Sequence, residues 1–373
     1  MSDVEIPFIN DDHPFTHAKW NEALITLYEW GIDDVILQDN EVLAVKRHGQ
    51  IYDVGRRPLE IDTVEGILNA MHKVSSAASL QQGLDHNFPY PVKKDRKTTY
   101  RFRVNATAAM GMHSSPVGID VTMRSIAQIP PTLEQLNVPE SLSMHLFPRT
   151  GCVIIGGATG SGKTTLLGGV VRRIATQPHG MRILTYESPI EFDFRAIPGR
   201  TGRIAQSDAY INLSNYSHAT SNALRRHPDV IILGEARDKE TIEGAIHNAE
   251  TGHAVYTTVH VNSVSEMFGR MISVFPADQR ARALAGLIGS SRVLIYQTLI
   301  PTMDGKRCAA RETLIVTDEM RRTLYGTPES RLNQVMAEMV RECGRPLIMD
   351  IEQHYENGLI DLATLERFKA ETG

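Results

Sequence analysis

Cysteine is scarce in this chain: three residues among 373, at Cys152, Cys308 and Cys343. They lie far apart and never in CxxC spacing, which suggests neither a disulfide framework nor a zinc site. Long apolar runs are missing too, none approaching the roughly 18 residues that a membrane-spanning helix needs. There is no basic excess. A net charge of −5 disfavours a general nucleic-acid or anionic-membrane binder, with local basic patches left open. The acidic opening MSDVEIPFINDDH carries no basic-then-apolar targeting pattern. Repeats and low-complexity tracts are absent. What remains is an ordinary globular composition, 42% apolar and 22% charged, on a chain longer than one compact core usually takes. Two domains and a cytoplasmic, reduced setting are therefore expected.

Hydrophobic periodicity divides the chain. Residues 16–30 have helical spacing through Trp20, Leu24, Leu27 and Trp30. Strands are predicted at Asp34–Gln38 and Val42–Arg47, a helix over 62–83, and strands at Thr99–Asn105 and Val117–Arg124. Around 126–146 the pattern breaks at Pro130-Pro131, which lack amide donors and resist both helix and interior strand, so a hinge belongs there. Beyond it, apolar strands at Val153–Ile155, Arg182–Tyr186, Val230–Leu233 and Ala254–Val259 alternate with helical stretches. That alternation predicts an α/β fold with a parallel sheet. Leu294–Ile300 and Cys308–Val316 flank the turn-like Met303-Asp304-Gly305-Lys306 as a hairpin, and the last fifty or so residues read as helical.

The strand Cys152–Ile155 runs into Gly157-Ala158-Thr159-Gly160-Ser161-Gly162-Lys163-Thr164, followed by Thr165. This is the phosphate-loop pattern GxxxxGK[ST] in its strand-then-loop setting. Glycines let backbone N–H groups curl around phosphate oxygens, Lys163 can reach the β- and γ-phosphates, and Thr164 can offer its hydroxyl to Mg²⁺. The helix starting there adds the positive end of its dipole. ATP with Mg²⁺ is the expected ligand pair.

Hydrolysis needs a group that activates water. Glu235 is the candidate, delivered by the apolar strand Val230–Leu233 to the carboxyl edge where ligands sit in open α/β sheets. Gly234 occupies the place where many phosphate-loop enzymes carry a metal-supporting aspartate, so Glu187 and Glu191, after another strand, are the candidates to support Mg²⁺, directly or through water. His253 and His260 are seven apart; in one strand an odd spacing points them to opposite faces, so joint metal chelation is not expected. His260, at the strand's end, is the better placed to meet a γ-phosphate. Arg101 and Arg103 share a strand face, and Arg124 ends the next strand; arginines supplied by a neighbour often stabilise charge in phosphoryl transfer.

Taken in order, Leu224–Asp238, Glu240-Thr241-Ile242, Ala249–His253, Tyr100–Asn105, Val274–Ala277 and Gln297-Thr298-Leu299 resemble the secretion-ATPase superfamily of type II/IV secretion, in its PilT-like and DotB-like branches. The likeness spans roughly residues 16–330. In that family the stretch around Glu187–Phe192 is the Asp box and 249–260 the His box. The resemblance implies a hexameric ring with an N-terminal PAS-like α+β domain at 1–127, a linker at 128–140, and a RecA-like ATPase domain at 141–373 with a helical tail. It implies nucleotide bound between domains, Glu235 polarising water, Glu187 and Glu191 supporting Mg²⁺, His260 sensing the γ-phosphate within a His box that includes His253, and Arg101, Arg103 and Arg124 as candidate fingers. Partners would be a homohexamer and secretion-machine proteins at the cytoplasmic face of the inner membrane, with peripheral recruitment and no direct nucleic acid. Two departures stand out. Ser188 takes a usual aspartate position, and Met110, Met112 and His113 occupy a longer 105–124 segment where a second family arginine is expected. Both favour a type IVB secretion or conjugation role; pilus retraction and, from another class, nucleic-acid translocation are the alternatives.

Overall fold

A computed structural model describes residues 6–9, 15–96, 98–111, 117–127, 129–209, 212–213 and 216–372. Met112 and His113 lie outside the described residues, as does most of the acidic opening. The chain divides into two compact units, Met1–Gln128 and Ile129–Gly373.

The first unit begins with α1 (His17–Trp30), capped by the Thr16 hydroxyl at one end and by left-handed Gly31 at the other. Strands β1 (Asp34–Gln38), β2 (Val42–Arg47) and β3 (Gln50–Pro58) follow, then α2 (Ile61–Met71), α3 (Ser76–Leu80), β4 (His86–Lys93), β5 (Thr99–Met110) and β6 (Val117–Ile126). All six strands pair antiparallel, in the order β3-β2-β1-β6-β5-β4. One face carries the core, including Trp20, Leu24, Leu27, Leu68, Phe102 and Val104. On β5 the buried residues Tyr100, Phe102, Val104 and Ala106 alternate with Arg101, Arg103 and Asn105, as the period of two requires.

Three differences from the sequence reading have physical causes. The helix expected over 62–83 breaks at 72–75, where the Ser76 hydroxyl accepts from Lys73 N–H and bonds His72. Strand β4 was hidden by Pro89 and Pro91; it is an edge strand, where missing amide donors cost no ladder bond. Strand β3, the other edge, is mostly exposed and so lacks an apolar signature.

The second unit runs α4 (Glu140–Ser143), β7 (Gly151–Gly156), α5 (Lys163–Ala175), β8 (Arg182–Glu187), β9 (Arg203–Asp208), α6 (Tyr216–Ala223), β10 (Val230–Leu233), α7 (Lys239–Glu250), β11 (Ala254–Val259), α8 (Met267–Ile272) and α9 (Ala277–Ser290). It continues with β12 (Ser291–Pro301), β13 (Arg307–Ile315), α10 (Asp318–Tyr325), α11 (Leu332–Cys343), α12 (Leu347–Glu356) and α13 (Leu362–Thr372). The sheet order is β13-β12-β7-β11-β10-β8-β9, parallel except for the β12–β13 hairpin. Strands β7, β10 and β11 are buried along their whole length, which is why they read as unbroken apolar runs. Alternate residues serve two cores: Ile154 and Leu233 on one side of the sheet, Val153 and Ile155 with Leu166 and Val170 on the other. Strand β9 escaped the sequence reading because Arg-Ile-Ala-Gln-Ser-Asp, on a half-exposed edge, has little apolar content.

Candidate functional site

Because β7, β8, β10 and β11 run parallel, the residues that follow them gather at one edge of the sheet. There stand the loop 157–162, Glu187, Glu191, Glu235 and His260.

The phosphate loop needs its glycines for two separate reasons. Gly162, at the N-cap of α5, has φ +80°, a left-handed conformation that costs a residue with a Cβ. Gly157 lies so close to β12 that a Cβ there would meet Gln297 O and Ser161 Oγ at 2.4 Å. Lys163 opens α5, is buried, and donates from Nζ to Gly157 O at 2.7 Å and Ala158 O at 2.8 Å. Burial pushes its ammonium pKa down, while the carboxylates of Glu235 and Glu191 push it back up. Thr164 and Thr165 occupy the first turn of α5, half-buried; Ala158, Thr159 and Gly160 are exposed. The buried Ser161 Oγ has no hydrogen-bond partner among the described residues. An exposed loop crest beside a buried cation and an unsatisfied hydroxyl suits an anion.

Glu187 ends β8 as a buried carboxylate, accepting from Thr185 Oγ1 at 2.6 Å and Gln206 Nε2 at 3.2 Å. Burial raises its pKa to about 7; the two hydrogen bonds oppose the shift, and the charges of Glu191 and Asp208 add to it. Glu191 is exposed. Thr164, Glu187 and Glu191 offer only oxygen donors, and neighbouring carboxylates that repel one another are relieved by a cation, so this set fits Mg²⁺. No group of three or more His, Cys, Asp or Glu forms a ready-made metal cage among the described residues. Mg²⁺ commonly takes one or two carboxylates and completes its shell with water and phosphate oxygens.

Glu235 is fixed by its neighbours' backbone. Gly234 N–H donates to Tyr186 O at 2.7 Å, Ala236 N–H to Thr258 O at 2.8 Å, and Thr258 Oγ1 to Gly234 O at 2.7 Å. The carboxylate lies 2.6 Å from Arg237 Nε and 3.3 Å from His260 Nε2. A carboxylate and an imidazole in this contact can share a proton taken from water.

His253 does not join them. It precedes β11, whose six residues span about 20 Å at the usual strand rise, so it sits at the opposite edge of the sheet from His260. There its Nδ1 lies 3.2 Å from Asn248 O. The three arginines belong to the first unit. Arg103 stands directly opposite Arg124 across β5 and β6, and Arg124 makes a two-pronged pair with the buried Asp34, at 2.8 and 3.1 Å. Arg103 is exposed and Arg101 half-buried.

Sequence reasoning missed Asp208 and Gln206, which face Glu187 from β9, because that strand went unseen. It gave no role to Gln297, whose contact with the loop crosses 136 residues; neither spacing nor periodicity carries a signal over that distance.

Residues 96–357 match the family described as Type II/IV secretion system protein. The type IV pilus retraction ATPase PilT of Pseudomonas aeruginosa strain PAO1 is 30% identical over 300 residues, 80% of this chain and 83% of that protein. The crystal structure of the Legionella pneumophila ATPase DotB superposes with a TM-score of 0.84 at 32% identity, covering 98% of this chain and 99% of that one. The pilus retraction motor PilT with bound ADP gives a TM-score of 0.79 at 27% identity, over 92% and 95%.

Proposed function

The chain belongs to the type II/IV secretion system protein family, and from that premise we propose that it is an ATPase that powers a type IVB secretion or conjugation machine. The observation that carries the reading is the convergence of the phosphate loop, Glu187, Glu191, Glu235 and His260 on one sheet edge. On this reading the loop 157–165 binds ATP, with Lys163 turning from the loop carbonyls to the phosphates. Thr164, Glu187 and Glu191 hold Mg²⁺, which supplies charge neutralisation at the phosphates. Glu235 takes the proton of the attacking water, and His260, in contact with it, reports the γ-phosphate. His253 has no part in this chemistry.

The first unit is read as PAS-like and the second as RecA-like, in a homohexamer at the cytoplasmic face of the inner membrane. Arg101, Arg103 and Arg124 are the candidate fingers toward a neighbouring copy; Arg103 is preferred because it is exposed, whereas Arg124 is engaged by Asp34. No helix among the described residues is long and apolar enough to cross a membrane, consistent with recruitment through protein partners. The DotB likeness over nearly the whole of both chains favours secretion; the 30% identity with PilT supports pilus retraction as the second reading. Secretion-channel genes beside this one would support the first, pilin genes the second. Native mass in the presence of nucleotide tests the ring: six times the 41.5 kDa chain is expected, and a monomer at every concentration contradicts it. Turnover stimulated several-fold by single-stranded DNA would instead mark a nucleic-acid translocase.

A further inference from the structure

Strand β12 presses Gln297 against the back of the phosphate loop, with its side chain 2% exposed. Its Nε2 donates to Ser161 O at 2.8 Å, inside the loop. Its Oε1 accepts from Arg311 Nε at 2.9 Å, the residue directly opposite on β13. Arg311 is likewise 2% exposed, and its two remaining guanidinium nitrogens donate to Leu136 O at 2.9 Å and Asn137 O at 3.2 Å. Hydrogen bonds thus run without a gap from the loop to residues 136–137, in the segment that follows the first unit.

A second set of contacts binds the same segment to the helix that the loop begins. Arg172, on α5, donates to Pro130 O at 2.7 Å. Gly168 and Gly169 give the segment room: a Cβ on the first would meet Pro130 at 2.9 Å, and on the second Leu136 at 2.9 Å and Pro131 O at 3.2 Å. Residues 130–137 therefore lie on α5 and are tied to its loop through β12 and β13.

The chemistry is more than stability requires. A buried guanidinium whose side-chain bonds all go to neutral carbonyl oxygens is costly, and apolar side chains of similar volume are often at least as stable. Asp350 lies near, but it accepts from Arg311 backbone N–H and from the guanidinium of Arg345. Nor is there slack to absorb a shift. A Cβ on Gly162 would meet Gln297 Nε2 at 2.9 Å, and one on Gly157 would meet Gln297 O at 2.4 Å. Connected buried networks of this kind hold one arrangement against its neighbours.

We propose that Gln297 and Arg311 are positioning residues that couple the segment 130–137 to the phosphate loop, so that nucleotide occupancy and the placement of that segment set one another. The proposal rests on the nucleotide-binding reading above. Coupling of this kind is reciprocal: whatever displaces the segment alters nucleotide affinity by the same factor with which nucleotide biases the segment.

Hydrogen exchange of the full chain, with and without saturating ADP, tests it in the wild type and in Gln297→Met, which keeps the volume and deletes both bonds. In the wild type, ADP is expected to change exchange at 157–165 and at 132–138 together. In Gln297→Met the change at 157–165 persists, the change at 132–138 is lost, and the ADP Kd rises about two- to tenfold, the worth of one ordinary hydrogen bond. Gln297→Glu keeps an acceptor for Arg311 but loses the donor to Ser161 O, and gives the same uncoupling should Gln297→Met fold poorly. Arg311→Met combined with Gln297→Met raises the Kd no further than Gln297→Met alone. An unchanged response at 132–138 in the variants, or a lower melting temperature with unchanged Kd, reduces the pair to a structural tie and overturns the coupling. If ADP protects nothing at 157–165 in the wild type, the nucleotide reading fails first and the coupling with it.

Discussion

Arg237 Nε stands 2.6 Å from the carboxylate of Glu235, at the carboxyl end of β10. The two partners differ in setting: the arginine side chain is 69% exposed and the glutamate 18%. An ion pair with one partner in solvent is screened and contributes little to folding. Arg237→Ala is therefore expected to unfold in urea within about 1 kcal/mol of the wild type. A loss well beyond that would make the pair a structural support rather than part of a chemical site.

Lys163 donates to two loop carbonyls, and removing its ammonium leaves them without those bonds and the site without its buried positive charge. Charge-assisted bonds are worth about 1.5–3 kcal/mol each, so Lys163→Ala should weaken nucleotide binding at least about tenfold. Fluorescent-nucleotide titration checks it; an unchanged Kd would remove Lys163 from the phosphate site.

Glu187 gives a pH dependence of definite sign. Its folded pKa of about 7 lies above the ordinary 4.5, so its protonated form stabilises the fold. That contribution is complete below pH 4.5 and is lost as pH rises through about 7. Urea stability should fall across this window, and Glu187→Gln should remove that part of the fall. Mg²⁺ needs the ionised carboxylate, so its apparent affinity should rise with pH up to about 7, by as much as about tenfold per unit. In Glu187→Gln that slope should be absent, as a Mg²⁺ titration of turnover at several pH values would show.

Gly157→Ala would place a methyl group at 2.4 Å from both Gln297 O and Ser161 Oγ. Overpacking of this kind costs about 1–3 kcal/mol, and here it also displaces the loop. Both stability and nucleotide affinity should fall; a variant with native affinity would show that the loop has more freedom than its packing implies.

Much of the site was legible because the chain writes it locally. Strand Val230–Leu233 is buried on both faces, so its apolar run announced where Glu235 would emerge, and the phosphate loop carries its own spacing. The first unit was half legible: β5 alternates cleanly, whereas the edge strands β3 and β4 hide behind exposed residues and prolines. His253 and His260 flank β11, one before the strand and one at its end, and the length of the strand as well as its alternation divides them. Half of the Ser161–Gln297–Arg311 connection was legible, since Gln297 and Arg311 pair across the predicted hairpin. The contact of Gln297 with Ser161 spans 136 residues, and no local pattern encodes it.

The most direct test is phosphate release by the purified full chain with ATP and Mg²⁺, measured beside Glu235→Gln. A general base contributes about 10²–10⁴ in rate. The wild type should turn over steadily, while Glu235→Gln binds nucleotide as tightly and loses turnover by at least about a hundredfold. Equal turnover by the two proteins would contradict the assignment of Glu235 and the hydrolytic site built around it.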